Sequence, residues 1–467
     1  MNKYNKITPE LLNKLTDLLG KRYISTDANK LEIYKTDEEA NTNYHKLPEV
    51  VVFPENAQQI SEIIKLANEY YVPVTPRGAG TGLACGAIPI YGGIVLVMDR
   101  LNKIIELNED GRYVIAQAGV RTLDIQNAAK IQGLLYAGDP CSADSCQIGG
   151  NVATNAGGNR AVKYGTTRDQ IYAIQVVTPM GDIVEFGART EKNSTGYAID
   201  KLFIGSEGTL GIITQVTLKL RPLPPYKFDL LAIFDNIKKA LELPKMIAKS
   251  GMNPTSIEYM DNTAIKSCIR YMKIDLPHGK DGSVYDIITI DGFNEDELNG
   301  KMEELAELCE AAGAIDVLIA DEERIWKARR LFAEAARADS MVYYAEDIVV
   351  PVNKIFDLME NLPTIEAKHG IVTTTAAHIG DGNIHVNALK GDISEDNWDD
   401  KLAEFHKELY GLVYQLGGRL SGEHGIGYKK VKEMEMFTDP KVLNIMRAFK
   451  KAIDPKYILN PGKIFRN

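Results

Sequence analysis

The segment Pro76-Arg77-Gly78-Ala79-Gly80-Thr81-Gly82-Leu83 follows directly on a strand–helix–strand pattern, and it narrows the folds open to this chain more than any other stretch. VVVFP (50–54) reads as a buried strand, Asn56 caps the helix AQQISEIIKLANEYY, and VPVT (72–75) reads as a second strand. The connection lands on glycines at alternate positions with an arginine beside them. Backbone N–H groups spaced this closely, with no side chains in front of them, form a nest for an anion such as phosphate. The spacing departs from GxGxxG and lacks the Lys-Ser/Thr of a P-loop, which weakens a nicotinamide-binding reading. Taken alone, an ordinary glycine-rich turn explains these residues equally well.

Two further stretches add weight to the ligand reading. Gly138-Asp139-Pro140 leads into QIGGNVATNAGG (147–158), and IGSEGTLGII (204–213) follows later. Between Gly92 and about Leu220 the chain reads as short strands (GIVLVM, YVIAQAG, IYAIQVVTP, GIITQVTLKL) parted by such loops. Loops this rich in glycine are costly to order unless a ligand helps. RPLPPY (221–226) marks a boundary. Beyond it FDLLAIF, a helix to about Ser250, TSIEYM, YDIITIDGF, the helix EDELNGKMEELAELCEAAG and AIDVLIA describe an α+β domain on an antiparallel sheet. Near the N-terminus, Thr8-Pro9-Glu10 before LLNKLTDLLG reads as a capped helix that ends at Gly20.

A chain of 467 residues is long enough for two or three domains. No apolar run approaches the roughly 18 to 20 residues that span a bilayer, and MNKYNKITPELLNKL lacks the apolar core of a secretory leader, so the cytoplasm is the expected compartment. A formal net charge of −10, with basic residues interspersed among acidic ones, argues against a nucleic-acid partner. Five cysteines without a CxxC pair support neither a disulfide framework nor an iron–sulfur cluster. Any redox work then falls to a borrowed organic cofactor or another subunit.

At the three glycine-rich stretches, and through to Leu459-Asn460-Pro461-Gly462-Lys463, the chain resembles the flavoprotein superfamily of vanillyl-alcohol oxidase and p-cresol methylhydroxylase. Within it, the resemblance is to the branch of FAD-linked D-lactate dehydrogenases and glycolate oxidase flavin subunits. It implies an α+β protein in which a two-subdomain FAD-binding domain of the p-cresol methylhydroxylase type is joined to an α+β cap with an antiparallel sheet. The corresponding domains are residues 1–221 for FAD, 222–420 for the cap with a metal site, and 421–467 as a segment returning to the flavin. The resemblance places Arg77, Gly78, Ala79, Gly80, Thr81 and Gly82 on the pyrophosphate. It places Pro140, Gly149, Gly150, Thr154 and Gly157 along the isoalloxazine and ribityl chain, and Glu207, Gly208 and Ile213 toward the adenine, with Asn460 completing the cofactor set. Some relatives attach flavin through a histidine or cysteine near the first loop. Residues 76–84 contain neither and Cys85 reads as a packed thiol, so FAD is expected to be noncovalent.

AHIGDGNIHVN (377–387) holds two of the seven histidines. IVTTTAAHIG reads as a strand, Asp381-Gly382 as the centre of a two-residue turn and NIHVNAL as the return strand, which sets His378 opposite His385. Opposed residues have Cβ atoms roughly 4.5 to 5.5 Å apart, suited to two imidazoles sharing a metal. SGEHGIG (421–427) supplies a carboxylate and another histidine. Two imidazoles and one carboxylate suit zinc, manganese or ferrous iron with positions open to substrate. The same branch implies His378, His385 and Glu423 as ligands and His424 as base. It also places an arginine after a tryptophan near the start of the cap's last helix, matched by Trp326-Lys327-Ala328-Arg329, with Arg330 as the competing choice.

The expected activity is oxidation of a small D-2-hydroxy acid, D-lactate to pyruvate first, with FAD and a divalent metal. Glycolate and D-2-hydroxyglutarate are alternatives, the second disfavoured because YYAED (343–347) adds two acids and no second cationic clamp. A reading of a different class is a flavin relay subunit whose metal only holds the fold. Electrons would pass to a soluble partner, an electron-transferring flavoprotein first and an iron–sulfur subunit second.

Overall fold

The computed structural model describes residues 4–39 and 41–466; Met1–Lys3, at the head of the charged N-terminal stretch, Ala40 and Asn467 lie outside the described residues. Two compact units emerge, one built from 1–157, 166–223 and 424–467 and the other from 158–165 and 224–423.

The first unit starts as its sequence demands. Thr8 caps the helix Pro9–Leu19 by accepting from the Leu11 N–H at 3.2 Å, and Leu11, Leu15 and Leu19, one turn apart, are buried. Four strands, β1 (Ile24–Ser25), β2 (Val50–Val52), β3 (Val74–Arg77) and β4 (Ile94–Val97), form one sheet in the order β1-β2-β4-β3. The β2–β4 and β3–β4 pairs are parallel, so the helix Ala57–Tyr70 crosses over as a strand–helix–strand unit needs. The continuous apolar run of β2 fits a strand buried on both faces. A second sheet is antiparallel throughout: β5 (Ile104–Asn108), β6 (Tyr113–Gln117), β7 (Ile171–Val177), β8 (Ile183–Gly187) and β9 (Ile212–Lys219), ordered β5-β6-β9-β7-β8. The C-terminal segment is locked into this unit by Lys450, fully enclosed on the helix Pro440–Ile453. Its Nζ reaches the carbonyls of Thr209 at 2.6 Å and Leu459 at 2.9 Å and the Asp454 carboxylate at 2.6 Å.

The second unit is a seven-stranded antiparallel sheet. Its strands are β10 (Tyr226–Phe234), β11 (Ser256–Met260), β12 (Val284–Gly292), β13 (Asp316–Ile319), β14 (Tyr343–Val349), β15 (Val372–His378) and β16 (Asn383–Leu389), ordered β13-β10-β12-β11-β15-β16-β14. One expectation is corrected here. The β15–β16 turn takes four residues, 379–382, so His378 pairs with Asn383, and His385 pairs with Ala376. The two histidines are therefore diagonal neighbours. The offset is two residues, which keeps both on one face because the side-chain period of a strand is two.

Candidate functional site

In the first unit the glycine cluster ends β3 and leaves its donors unused. Among the described residues, the N–H groups of Gly78, Ala79, Gly80, Thr81 and Gly82 donate to no backbone carbonyl. The loop is half-buried to exposed, so these five neighbouring donors stand open to solvent or to an anionic ligand. Gly80, at φ +80°, folds back so closely on Arg77 that an added Cβ would lie 2.1 Å from its Nη2. Arg77 is buried and its guanidinium bonds the Thr36 carbonyl. Asp37, beside Gly82, keeps Oδ2 unpartnered, and burial pushes its carboxyl up to about 6.

The other residues expected at the flavin gather in the same unit. Pro140 is buried, Gly149 packs on Ala118, and Thr154 Oγ1 donates to the Gly150 carbonyl at 3.2 Å in the helix Ile148–Thr154, with Gly157 just beyond. Glu207 accepts from the N–H groups of Ile426 and Gly427 at 2.8 and 2.7 Å. Burial raises its carboxyl in spite of those donors. Gly208 packs on Pro76, and Ile213 is buried on β9. Asn460 Nδ2 donates to the Glu207 carbonyl at 2.7 Å, while its Oδ1 is buried with no partner. Unused N–H groups and orphaned buried oxygens together fit a large polar cofactor such as FAD. Cys85 is fully buried, and burial raises its thiol far above the usual range, as a packed thiol requires.

In the second unit the sheet assembles a polar face from four strands. The β11–β15 register sets Glu258 opposite His378, and the β14–β16 register sets Asp347 opposite His385. The imidazoles of His378 and His385 lie 5.1 Å apart, nearly perpendicular at 84°. Their Nε2 atoms converge on one oxygen, Glu423 Oε1, at 3.6 Å from His378 and 3.3 Å from His385. His378 Nε2 is buried beyond hydrogen-bond reach of any partner. Such an orphaned imidazole nitrogen, facing a carboxylate and a second imidazole, fits a divalent cation with nitrogen and oxygen ligands.

Charge follows the same geometry. Burial opposes protonation of His378, but Glu258 and Glu423 overcome it and hold the imidazole well above 6.5. Burial likewise opposes ionisation of Glu423, and His378 and His385 reverse that, keeping it well below the usual carboxylate range.

Asp347 also offers an oxygen within 4.8 Å of those of His385 and Glu423, and the sequence reading did not include it among the ligands. Its oxygens are already committed. Oδ1 accepts from Asn383 Nδ2 at 2.7 Å, and Oδ2 accepts from Ser421 Oγ at 2.6 Å and from the Gly422 and Glu423 N–H groups at 3.1 and 3.0 Å. Asp347 therefore holds the loop that carries Glu423. A side chain at Gly422 would strike Asn383, since an added Cβ lies 2.3 Å from its Nδ2. His424, next in the chain after Glu423, belongs to the first unit.

Arg329 and Arg330 are told apart by their surroundings. Arg330 is 49% exposed and pairs with Glu322, whereas Arg329 is 5% exposed with Nη2 at 2.7 Å from Glu258 Oε2. Arg329 sits in the short helix Lys327–Arg330 after a wide π-helical turn, Glu322–Trp326; further helices follow in this unit, so it is not on the last one. Glu258 escaped the sequence reading, although a glutamate inside the otherwise apolar strand TSIEYM is a signal of a paired buried charge. Asn387 escaped it too. On the same face as His385, its Nδ2 is buried without a partner.

Comparison with known proteins identifies both parts of the chain. Residues 48–187 match the model "FAD binding domain" and residues 223–464 match "FAD linked oxidases, C-terminal domain". The chain is 37% identical over 469 residues to a D-lactate dehydrogenase of Anaerostipes hadrus, covering 99% of this chain and 98% of that one. It is 35% identical over 464 residues to glycolate oxidase subunit GlcD of Bacillus subtilis strain 168, covering 98% and 97%. Among solved structures, p-cresol methylhydroxylase with substrate bound superposes with a TM-score of 0.82 at 16% identity, over 98% of each chain, a likeness of fold. Matches across nearly the whole length place this chain in the FAD-linked oxidase family, as an FAD-linked oxidoreductase.

Proposed function

We propose that the chain oxidises D-lactate to pyruvate, using noncovalent FAD and a divalent metal held by His378, His385 and Glu423. The observation that carries the metal reading is the convergence of two imidazole Nε2 atoms on Glu423 Oε1, one of them orphaned and buried. When bound, FAD supplies the two-electron acceptor and the cation the electrophile that acidifies the substrate hydroxyl.

The protein's own groups do the rest. Arg329, with its Nε–H buried and without an acceptor, binds the substrate carboxylate and fixes which face of C2 is presented. His424, next in the chain after Glu423, takes the hydroxyl proton at a ring nitrogen. Arg77 and the N–H groups of 78–82 bind the pyrophosphate, and residues 138–158, Glu207, Gly208, Ile213 and Asn460 line the rest of the cofactor. A soluble electron-transferring flavoprotein is the proposed acceptor. No helix among the described residues is long and apolar enough to cross a membrane.

The test is the visible spectrum of the anaerobic, metal-loaded protein before and after D-lactate. Bleaching of the flavin band is expected; bleaching by glycolate or D-2-hydroxyglutarate instead reassigns the substrate, and no bleaching by any of the three leaves a relay subunit. Acid precipitation is expected to leave the flavin in the supernatant, as noncovalent attachment requires.

A further inference from the structure

Glu258 has a place in the site that its two oxygens define separately. Oε1 lies 2.8 Å from His378 Nδ1, and Oε2 lies 2.7 Å from Arg329 Nη2, an ion pair without hydrogen-bond alignment. The residue is 0% exposed, and the β11–β15 register puts it directly across from His378, so its position is set by the sheet and not by a flexible stem. Its two partners come from different elements: one from the hairpin strand β15, the other from the short helix after the π-helical turn.

We propose that Glu258 is the shared positioning residue of the site: it holds His378 with Nδ1 protonated, so that Nε2 is the ligating nitrogen, and through its other oxygen it fixes the arginine that receives the substrate carboxylate. This rests on the metal reading above. An imidazole that donates one N–H to a carboxylate is fixed in tautomer and ring orientation and becomes a more basic ligand. Neutral His378 without that partner could carry its proton on Nε2, where it would block ligation. A stability role alone is a weak explanation for the Arg329–Glu258–His378 row, because a buried ion pair is often matched or exceeded by apolar residues of the same volume. Sharing one carboxylate also makes the metal site and the carboxylate anchor a single unit: removing Arg329 leaves one oxygen of Glu258 without its cation, which frees the carboxylate to turn away from His378 Nδ1 although its backbone stays fixed in the sheet.

The prediction is an effect on metal affinity from two residues that are not ligands. Competition with a graded chelator, read as zinc bound per flavin, is expected to show 10- to 100-fold weaker binding in Glu258→Ala, the range typical for outer partners of ligating histidines. Arg329→Ala is expected to weaken zinc several-fold, and the double variant to fall short of the product of the two. Flavin content and its absorbance report whether each variant is folded. A Glu258→Ala protein that is flavin-loaded and binds zinc as tightly as the parent overturns the proposal, and strictly multiplicative effects overturn the link through Arg329. Should the variants fail to fold, the zinc-loaded parent decides. In a spectrum of selectively 15N-labelled histidine, His378 must show a protonated Nδ1 and a metal-bound Nε2; metal on Nδ1 ends the proposal. A parent that takes up no zinc at all defeats the metal reading and this inference together, whereas parental affinity in Glu258→Ala defeats only the inference.

Discussion

Single residues divide here between those that touch the reaction and those that only suffer burial. His378 and His424 are separable by experiment. His424→Ala is expected to keep FAD and metal while substrate reduces the flavin about 10² to 10⁴ times more slowly, the usual share of general base catalysis. His378→Ala is expected to lose metal as well; full metal content and activity in that variant would remove the metal model. Asp286 is the opposite kind of residue. It is fully enclosed on β12 with both carboxylate oxygens unpartnered, and burial pushes its carboxyl well above the usual range. A carboxyl whose folded pKa is raised binds its proton more tightly folded than unfolded. Its favourable contribution is therefore complete below about pH 4 and is lost as pH rises toward the folded value. Asp286→Asn cannot ionise, so its melting temperature relative to the parent should be more favourable at pH 8 than at pH 5. Equal differences at the two pH values in scanning calorimetry would show that Asp286 carries no such cost.

At the scale of elements, the loop 421–423 depends on one side chain. Asp347→Ala removes the carboxylate that accepts from the Glu423 N–H and Ser421 Oγ, and one of two acceptors of the Gly422 N–H, whose other is the Asp347 carbonyl. Each buried donor left unpaired costs about 1–3 kcal/mol. The melting temperature is expected to fall, and amide exchange to rise at 421–423; unchanged protection there would mean that other contacts hold the loop. The same elements show how far the sequence could be read. Alternating residues and turn chemistry announced a hairpin with two histidines on one face, and the face survived although the turn proved two residues longer, because only the parity of the register matters. What stayed illegible was which strands lie beside the hairpin. Glu258 is 120 residues before His378, and only the sheet order β11-β15-β16-β14 brings Glu258 and Asp347 to the two imidazoles. Local patterns carry no information about such pairings.

On the scale of the whole molecule, the cradle and the imidazole–carboxylate face belong to different compact units, and each is built around polar groups that a ligand would satisfy. The sequence disclosed both because glycine spacing and paired histidines are local. It did not disclose that the short stretch 158–165, which sits among the flavin loops in sequence, belongs with the second unit, where Lys163 and Tyr164 meet Asp291. Separate ligands imply separate local protection. Anything that binds only the folded state stabilises it by RT ln(1 + L/Kd), with L the free ligand concentration, and the first segments to respond are those whose donors and acceptors it satisfies. Removing metal from the FAD-loaded protein should therefore raise hydrogen exchange at 376–387 and 421–423 while leaving 77–82 and 148–154 close to their starting protection. Removing flavin from the metal-loaded protein should do the reverse. The comparison needs only deuterium uptake of four peptide groups in three states. A loss of protection at 77–82 on chelation would mean that the cation orders the cradle as well, and the assignment of one ligand to each unit would fail.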